Sequence, residues 1–312
     1  MIVMGGGGGG SGGWPSSSGP NDILGRAALE ENKAAYEGQV NTFLQDLLAD
    51  FNNRDSELVR THLETIEDAL SKEGIGSISL FFGGSIKKHT YIDGLSDIDV
   101  LAKIENPSFA DKPPSYVLKY FAERLRERLP NTEMKIGNLA VTVKYSDGSK
   151  VQVLPAVVTA TGVRIPNGDG SGWSNVIRPE KFAEKLTQVN KANNNGVVPV
   201  IKLCKAINAR QPEKTRLSGY HIESIAINAF RKYEGPTSRK AMLMHLTEYA
   251  SKAVLTPIAD STGQSINVDD KLGPWGSLER QKASLAIKRI YAKMKLADTE
   301  SYLQRWKELF GE

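Results

Sequence analysis

Phe82-Gly83-Gly84-Ser85 closes a short apolar run, and eleven residues after it comes Asp97-Ile98-Asp99. The run from Ile75 to Phe82 is β-branched or aromatic and bounded by glycine, the pattern of a strand feeding a turn. Glycines let the backbone approach a ligand closely, and a serine with the amides of a helix beginning there holds phosphate anions. Lys87, Lys88 and Thr90 add donors nearby. In an extended strand alternate residues project to one side, so Asp97 and Asp99 present two oxygen ligands to one cavity while Ile98 and Val100 face a core. Paired carboxylates suit Mg²⁺, with Mn²⁺ as a substitute, because such an ion takes hard oxygen donors and completes its shell with substrate phosphates. Asp-x-Asp alone is common at strand ends and Gly-Gly-Ser alone marks only a turn. Joined at this spacing, they point to metal-assisted nucleotidyl transfer.

The chain has room for such a site within a larger frame. Its 312 residues, 40% of them hydrophobic, are enough for one bilobed domain or two smaller ones. Lys and Arg exceed Asp and Glu by 40 to 36, a net +4 that is too mild for stable duplex nucleic-acid binding but compatible with nucleotide substrates. Cys204 is the single cysteine, so no internal disulfide forms, and its apolar neighbours suggest a buried, unreactive thiol. A cytoplasmic location fits. Residues 1–21 are rich in Gly and Ser and lack the basic and apolar segments of a secretory signal, so they read as a disordered tail. No apolar run is long enough to suggest a membrane span or membrane partner.

Apolar spacing predicts helices over Asp22 to Phe51 and Ser56 to Lys72, with a short helix opening at the Gly83-Gly84-Ser85 turn. It predicts a strand over Asp97 to Ile104, a helix over Pro114 to Leu129, and a hairpin of Leu139 to Tyr145 with Lys150 to Val158 around Ser146-Asp147-Gly148-Ser149. Beyond Pro179 the pattern is helical throughout: Glu180 to Val189, Val198 to Ala209, Ser218 to Tyr233, Arg239 to Val254, and Ser277 to Leu309 with a break near Ala297. The expected division is a tail over 1–21, a core with amino-terminal helices over 22–175, and a helical lobe over 176–312, the first helix packing back onto that lobe.

Gly84-Ser85 with Asp97-x-Asp99 resembles the signature of polymerase-β-like nucleotidyltransferases. Trp173 to Pro179, Val200 to Lys205 and Leu217 to Glu223 narrow the resemblance to bacterial cGAS/DncV-like nucleotidyltransferases of antiphage signalling, relatives of oligoadenylate synthase. It spans roughly residues 25 to 310. It implies an α+β fold: a polymerase-β-like core with a mixed or antiparallel sheet, joined to a helical, oligoadenylate-synthase-like lobe. It also implies synthesis of a cyclic di- or trinucleotide from NTPs, release of pyrophosphate, a downstream effector activated by the product, and regulatory proteins encoded nearby. By position, Lys202 or Lys205 would touch the triphosphate, and Ser218 with Tyr220 would support it, the tyrosine stacking on the base. Lys202 and Lys205, three apart, also share a helical face from which both reach a phosphate, although ordinary solvated lysines would show the same spacing. Tyr220 is open to a second reading as plain packing between Leu217 and Ile225, His221 reads as structural, and His89 has no partner carboxylate in sequence.

One position departs from the family pattern. Most active members of the family it resembles carry a third carboxylate in the strand ending Leu/Val-Pro-Ala, where this chain has Gln152. An amide supplies an oxygen but neither charge nor basicity. The expectations are therefore a working enzyme with two carboxylates, an engineered inactive form, or a nucleotide-binding sensor with impaired catalysis. Linear oligonucleotide synthesis, or transfer to tRNA or protein, uses the same core.

Overall fold

The computed structural model describes residues 20–52, 56–71, 78–81, 98–167, 169–259 and 267–312. Gly83, Gly84, Ser85, Lys87, Lys88, His89, Thr90 and Asp97 lie outside the described residues, as do the expected helix opening at the glycine turn and residues 1–19 of the tail.

The described strands form one mixed sheet in the order β1-β2-β5-β4-β3: β1 Ile78–Phe81, β2 Ile98–Ile104, β5 Lys150–Thr159, β4 Val141–Lys144 and β3 Glu133–Ile136, with β6 Gly162–Arg164 added to the end of β5. β2 and β5 run parallel and the remaining pairs antiparallel. One face is a continuous apolar layer. Ile98, Val100, Ala102 and Ile104 of β2 alternate with outward residues, as do Val151, Val153 and Val157 of β5. Two helices cover this face. α2 (Ser56–Ser71) presents Leu63, Ile66 and Leu70, and α3 (Pro114–Arg128) presents Val117, Leu118, Phe121 and Leu125 at helical spacing.

The second core is helical, built from α4 (Pro179–Ala192), α5 (Val197–Ala209), α6 (Gly219–Phe230), α7 (Arg239–Ala253), α8 (Leu278–Glu300) and α9 (Leu303–Phe310). Ser218, Ser238 and Ser277 cap α6, α7 and α8 by accepting the backbone N–H groups of His221, Ala241 and Arg280. α1 (Pro20–Asn52) buries Tyr36, Val40, Phe43, Leu44, Leu47 and Leu48 in this helical core. Tyr36 donates to Asp298 at 3.1 Å and accepts from Trp306 Nε1 at 2.9 Å, while Lys240 pairs with both Glu37 and Asp298. Thus α1 is tied to α7, α8 and α9 by polar contacts as well as packing. Arg280, fully buried, pairs with the equally buried Asp269 at 2.6 Å and donates to the carbonyls of Gly273, Pro274, Val254 and Thr256.

Several expectations are corrected. The break in the last helices falls at Ser301, in the left-handed region at φ 48°, rather than at Ala297, which continues α8 and is buried. β3 and β6 were not expected. β3 is an edge strand with mostly exposed residues and no apolar alternation to mark it, and β6 spans only three residues. Among the described residues, no helix is long and apolar enough to cross a membrane.

Candidate active site

The sheet has a second face, and its chemistry differs from the first. Register sets Asp99 beside Gln152 across the parallel β2/β5 pair, and Gln152 beside Thr142 across the antiparallel β5/β4 pair. Neighbouring strands run about 4.8 Å apart, so these three side chains form one row across three strands. All three are half-buried. Their in-line neighbours Ile98, Val100, Val151, Val153, Val141 and Val143 point the other way, into the α2/α3 core. Alternation thus converts one apolar face into the anchor for a polar row on the reverse.

Further along the same face, Leu101, Leu154 and Ala156 pack with Val163, Ile165 and Ile177, so a small apolar cluster borders the polar row on the side toward the ends of β2 and β5. Lys103 follows and pairs with Glu180 of α4 at 2.9 Å. That ion pair links the row's face to the first turn of the helical part. The row crosses β2 near its start, where Asp99 comes two residues after Asp97 in sequence.

The donor set can be judged from its chemistry. Asp99 offers a carboxylate and Gln152 an amide oxygen, hard donors one strand spacing apart, which suit a hard divalent cation. Among the described residues, no group of three His, Cys, Asp or Glu side chains is gathered for a metal. Gln152 stands where a carboxylate would make the set more anionic.

Lys202 and Lys205 sit on α5, both largely buried. Lys202 donates to Asn52 Oδ1 at the end of α1, and burial first, then the charge of Lys205, lowers its pKa. Lys205 donates to Glu223 Oε1 of α6 at 2.7 Å, a buried ion pair. A Cβ on Gly219 would come within 3.3 Å of the Lys205 ammonium, so glycine there leaves room for that pairing. The two lysines therefore differ: Lys205 is engaged by a carboxylate, and Lys202 by a neutral amide. Ser218 spends its hydroxyl as the α6 cap. Tyr220, half-buried, packs on Phe182 with ring centroids 4.7 Å apart. His221 is buried, bonds the Val268 carbonyl at 2.6 Å, and has its pKa lowered chiefly by burial, which is a structural role. Burial also pushes the Cys204 thiol up to about 12, leaving it unreactive. Thr142 and the Lys103–Glu180 pair were not singled out in the sequence. Only strand register brings them to this face.

A mixed sheet backed on one face by α2 and α3 and joined to a helical bundle is an α+β frame. The chain belongs to the second messenger oligonucleotide or dinucleotide synthetase (SMODS) family, whose profile matches residues 35–190, and it is accordingly an enzyme of the cyclic-oligonucleotide-synthase class. Solved structures agree in fold. The Bradyrhizobium diazoefficiens CD-NTase CdnG, in complex with GTP, is 14% identical with a TM-score of 0.68 over 86% of this chain and 94% of that one. CdnC of E. coli MS115-1 with ATP is 18% identical, TM-score 0.62, over 90% and 97%. Escherichia coli DncV in its 3′-deoxy GTP bound form is 14% identical, TM-score 0.63, over 94% and 91%. A search of curated proteins returned no match.

Proposed function

We propose that this enzyme joins NTPs into a cyclic di- or trinucleotide second messenger with release of pyrophosphate, in cytoplasmic antiphage defence, and that the product activates a downstream effector. The observation that carries the reading is the row of Asp99, Gln152 and Thr142 on the sheet face turned away from α2 and α3. Asp97 and Asp99, with the Gln152 amide oxygen, would hold Mg²⁺ or Mn²⁺, which supplies charge neutralisation at the phosphates. Gly84 and Ser85 seat the donor triphosphate. Lys202 contacts it from α5, Lys205 and Ser218 brace that contact through Glu223 and the α6 cap, and Tyr220 stacks on a base. An incoming 2′- or 3′-hydroxyl attacks the α-phosphate, the P–O bond to pyrophosphate breaks, and a second transfer closes the ring. The work is mainly positioning and electrostatic stabilisation. Regulation by a protein partner fits the fold: CdnC of E. coli MS115-1 is known in complex with HORMA-deltaN.

Gln152 favours a second reading, in which the protein binds nucleotide and turns it over poorly. Incubation with the four NTPs and Mg²⁺, phosphatase treatment and mass spectrometry separate the readings. A phosphatase-resistant cyclic product supports synthesis. Linear products support oligonucleotide synthesis, and NTP binding without pyrophosphate release supports the sensor.

A further inference from the structure

α8 is buried on one side only. Arg280, Ala283, Ser284, Ile287, Ile290, Met294 and Ala297 face the helical core. The opposite side carries Leu278, Leu285 and Leu296, which are 57%, 50% and 42% exposed. These leucines alternate with exposed Lys282, Arg289 and Ala292 in steps of four and three residues, from 278 through 282, 285, 289 and 292 to 296. Such a spacing keeps one continuous stripe along a helix and is the repeat by which a second helix packs against it.

Charge along this side is predominantly positive. Lys282, Lys288, Arg289, Lys293 and Lys295 are all exposed, and among the described residues none has an ion-pair partner. Glu279 is the exposed carboxylate at the start of the helix, whereas Asp298 is held by Lys240 and Glu300 by Arg305. A seam in which leucines alternate with Lys282 and Arg289, and which Lys288, Lys293 and Lys295 border, selects against its own copy, since pairing two such faces sets like charges together. Residues 1–19 contain neither Asp nor Glu, so the tail is not the complementary element. Duplex nucleic acid would use the cations and leave the leucines in water. The complement is a helix with apolar residues on its seam and carboxylates beside them.

The geometry points to the outer face of α8 as a docking site for an acidic amphipathic helix of a partner protein, with Leu278, Leu285 and Leu296 as the apolar anchors and Lys282 and Arg289 reading its carboxylates. The proposal is independent of the product the enzyme makes. Its contacts follow the packing of one helix along another, apolar burial giving affinity and the charged positions giving orientation.

The test uses the full chain and a synthetic four-heptad peptide with leucine at the seam and glutamate beside it, read by fluorescence anisotropy. Comparison probes are a scrambled peptide of equal composition, equimolar phosphatidylcholine–phosphatidylserine vesicles, and duplex DNA. Two variants remove separate parts of the face: Leu278→Ser/Leu285→Ser/Leu296→Ser, and Lys282→Glu/Arg289→Glu. A control reversal, Lys119→Glu/Arg126→Glu, lies on α3. The expected result is binding of the designed peptide, weakened by roughly tenfold or more in both α8 variants and changed by less than about twofold in the control. A peptide with lysine in place of glutamate should recover binding to Lys282→Glu/Arg289→Glu. Equal binding of the scrambled peptide, unchanged affinity in the α8 variants, binding confined to vesicles or DNA, or a self-association lost in the α8 variants by sedimentation would each overturn the proposal. All substituted positions are exposed, and unchanged circular dichroism confirms the fold in each variant.

Discussion

At the scale of single residues, what could be read from sequence was chemical type, and what could not was company. Asp99 stood out as a candidate because its carboxylate follows a glycine turn at a fixed spacing. Its adjacency to Gln152, fifty-three positions away, follows from a parallel strand pairing that no local pattern encodes. Lys202 and Lys205 looked equivalent as two cations on one helical face. Only packing reveals that Glu223 holds Lys205 while Lys202 is buried against a neutral amide. This difference has a pH consequence. Burial lowers the Lys202 pKa, so between its folded and unfolded values the unfolded chain binds more protons, and stability rises with pH through that window below the ordinary lysine range. Lys202→Met removes the cost of the buried charge and should raise Tm by roughly 2 °C at neutral pH, while weakening NTP binding. Calorimetry with NTP titration checks both, and a lowered Tm with unchanged nucleotide affinity would show Lys202 to be structural.

At the scale of elements, the helices were legible because their buried positions repeat at helical spacing, as Val117, Leu118, Phe121 and Leu125 do in α3. β3 was not, since Glu133-Met134-Lys135-Ile136 is an exposed edge without alternation. The β4–β5 hairpin was legible from Asp147-Gly148, and Gly148 adopts the positive φ of 89° that the turn requires. Its attachment was not legible. Asp147 accepts from Ser149 N at 2.7 Å and lies 2.7 Å from His62 Nε2 of α2, while the Tyr145 ring stacks on His62 at 3.6 Å between centroids. This contact secures the two strands that carry Thr142 and Gln152. Partial burial raises the Asp147 pKa, but the bonds from Ser149 and His62 outweigh it, so the carboxyl sits below its usual range. A depressed carboxylate stabilises the fold above its unfolded pKa, and that contribution is lost as pH falls through its folded value. Asp147→Ala should therefore cost on the order of 1 kcal/mol at neutral pH and much less once the wild-type carboxyl is protonated. Urea denaturation at several pH values tests this, and a pH-independent loss would remove the latch.

For the whole molecule, the family resemblance implied an α+β frame and helical periods marked its carboxy-terminal half, and the sheet and helical cores bear both out. The course of α1 was fixed by long-range contacts, among them the buried chain from Trp306 through Tyr36 to Asp298. Tyr36→Phe leaves the Trp306 indole N–H without its acceptor and should cost about 1–3 kcal/mol, seen as a lower urea midpoint at unchanged slope. No change in midpoint would mean that packing alone holds α1.

The central claim is that the row begun by Asp99 is where nucleotides are joined. Pyrophosphate release from the four NTPs with Mg²⁺, measured for the wild type, Asp99→Asn and Gln152→Asp, tests it most directly. The wild type should release pyrophosphate, Asp99→Asn at least about 100-fold less with the fold intact, and Gln152→Asp as much or more. Release from Asp99→Asn at the wild-type rate would contradict it.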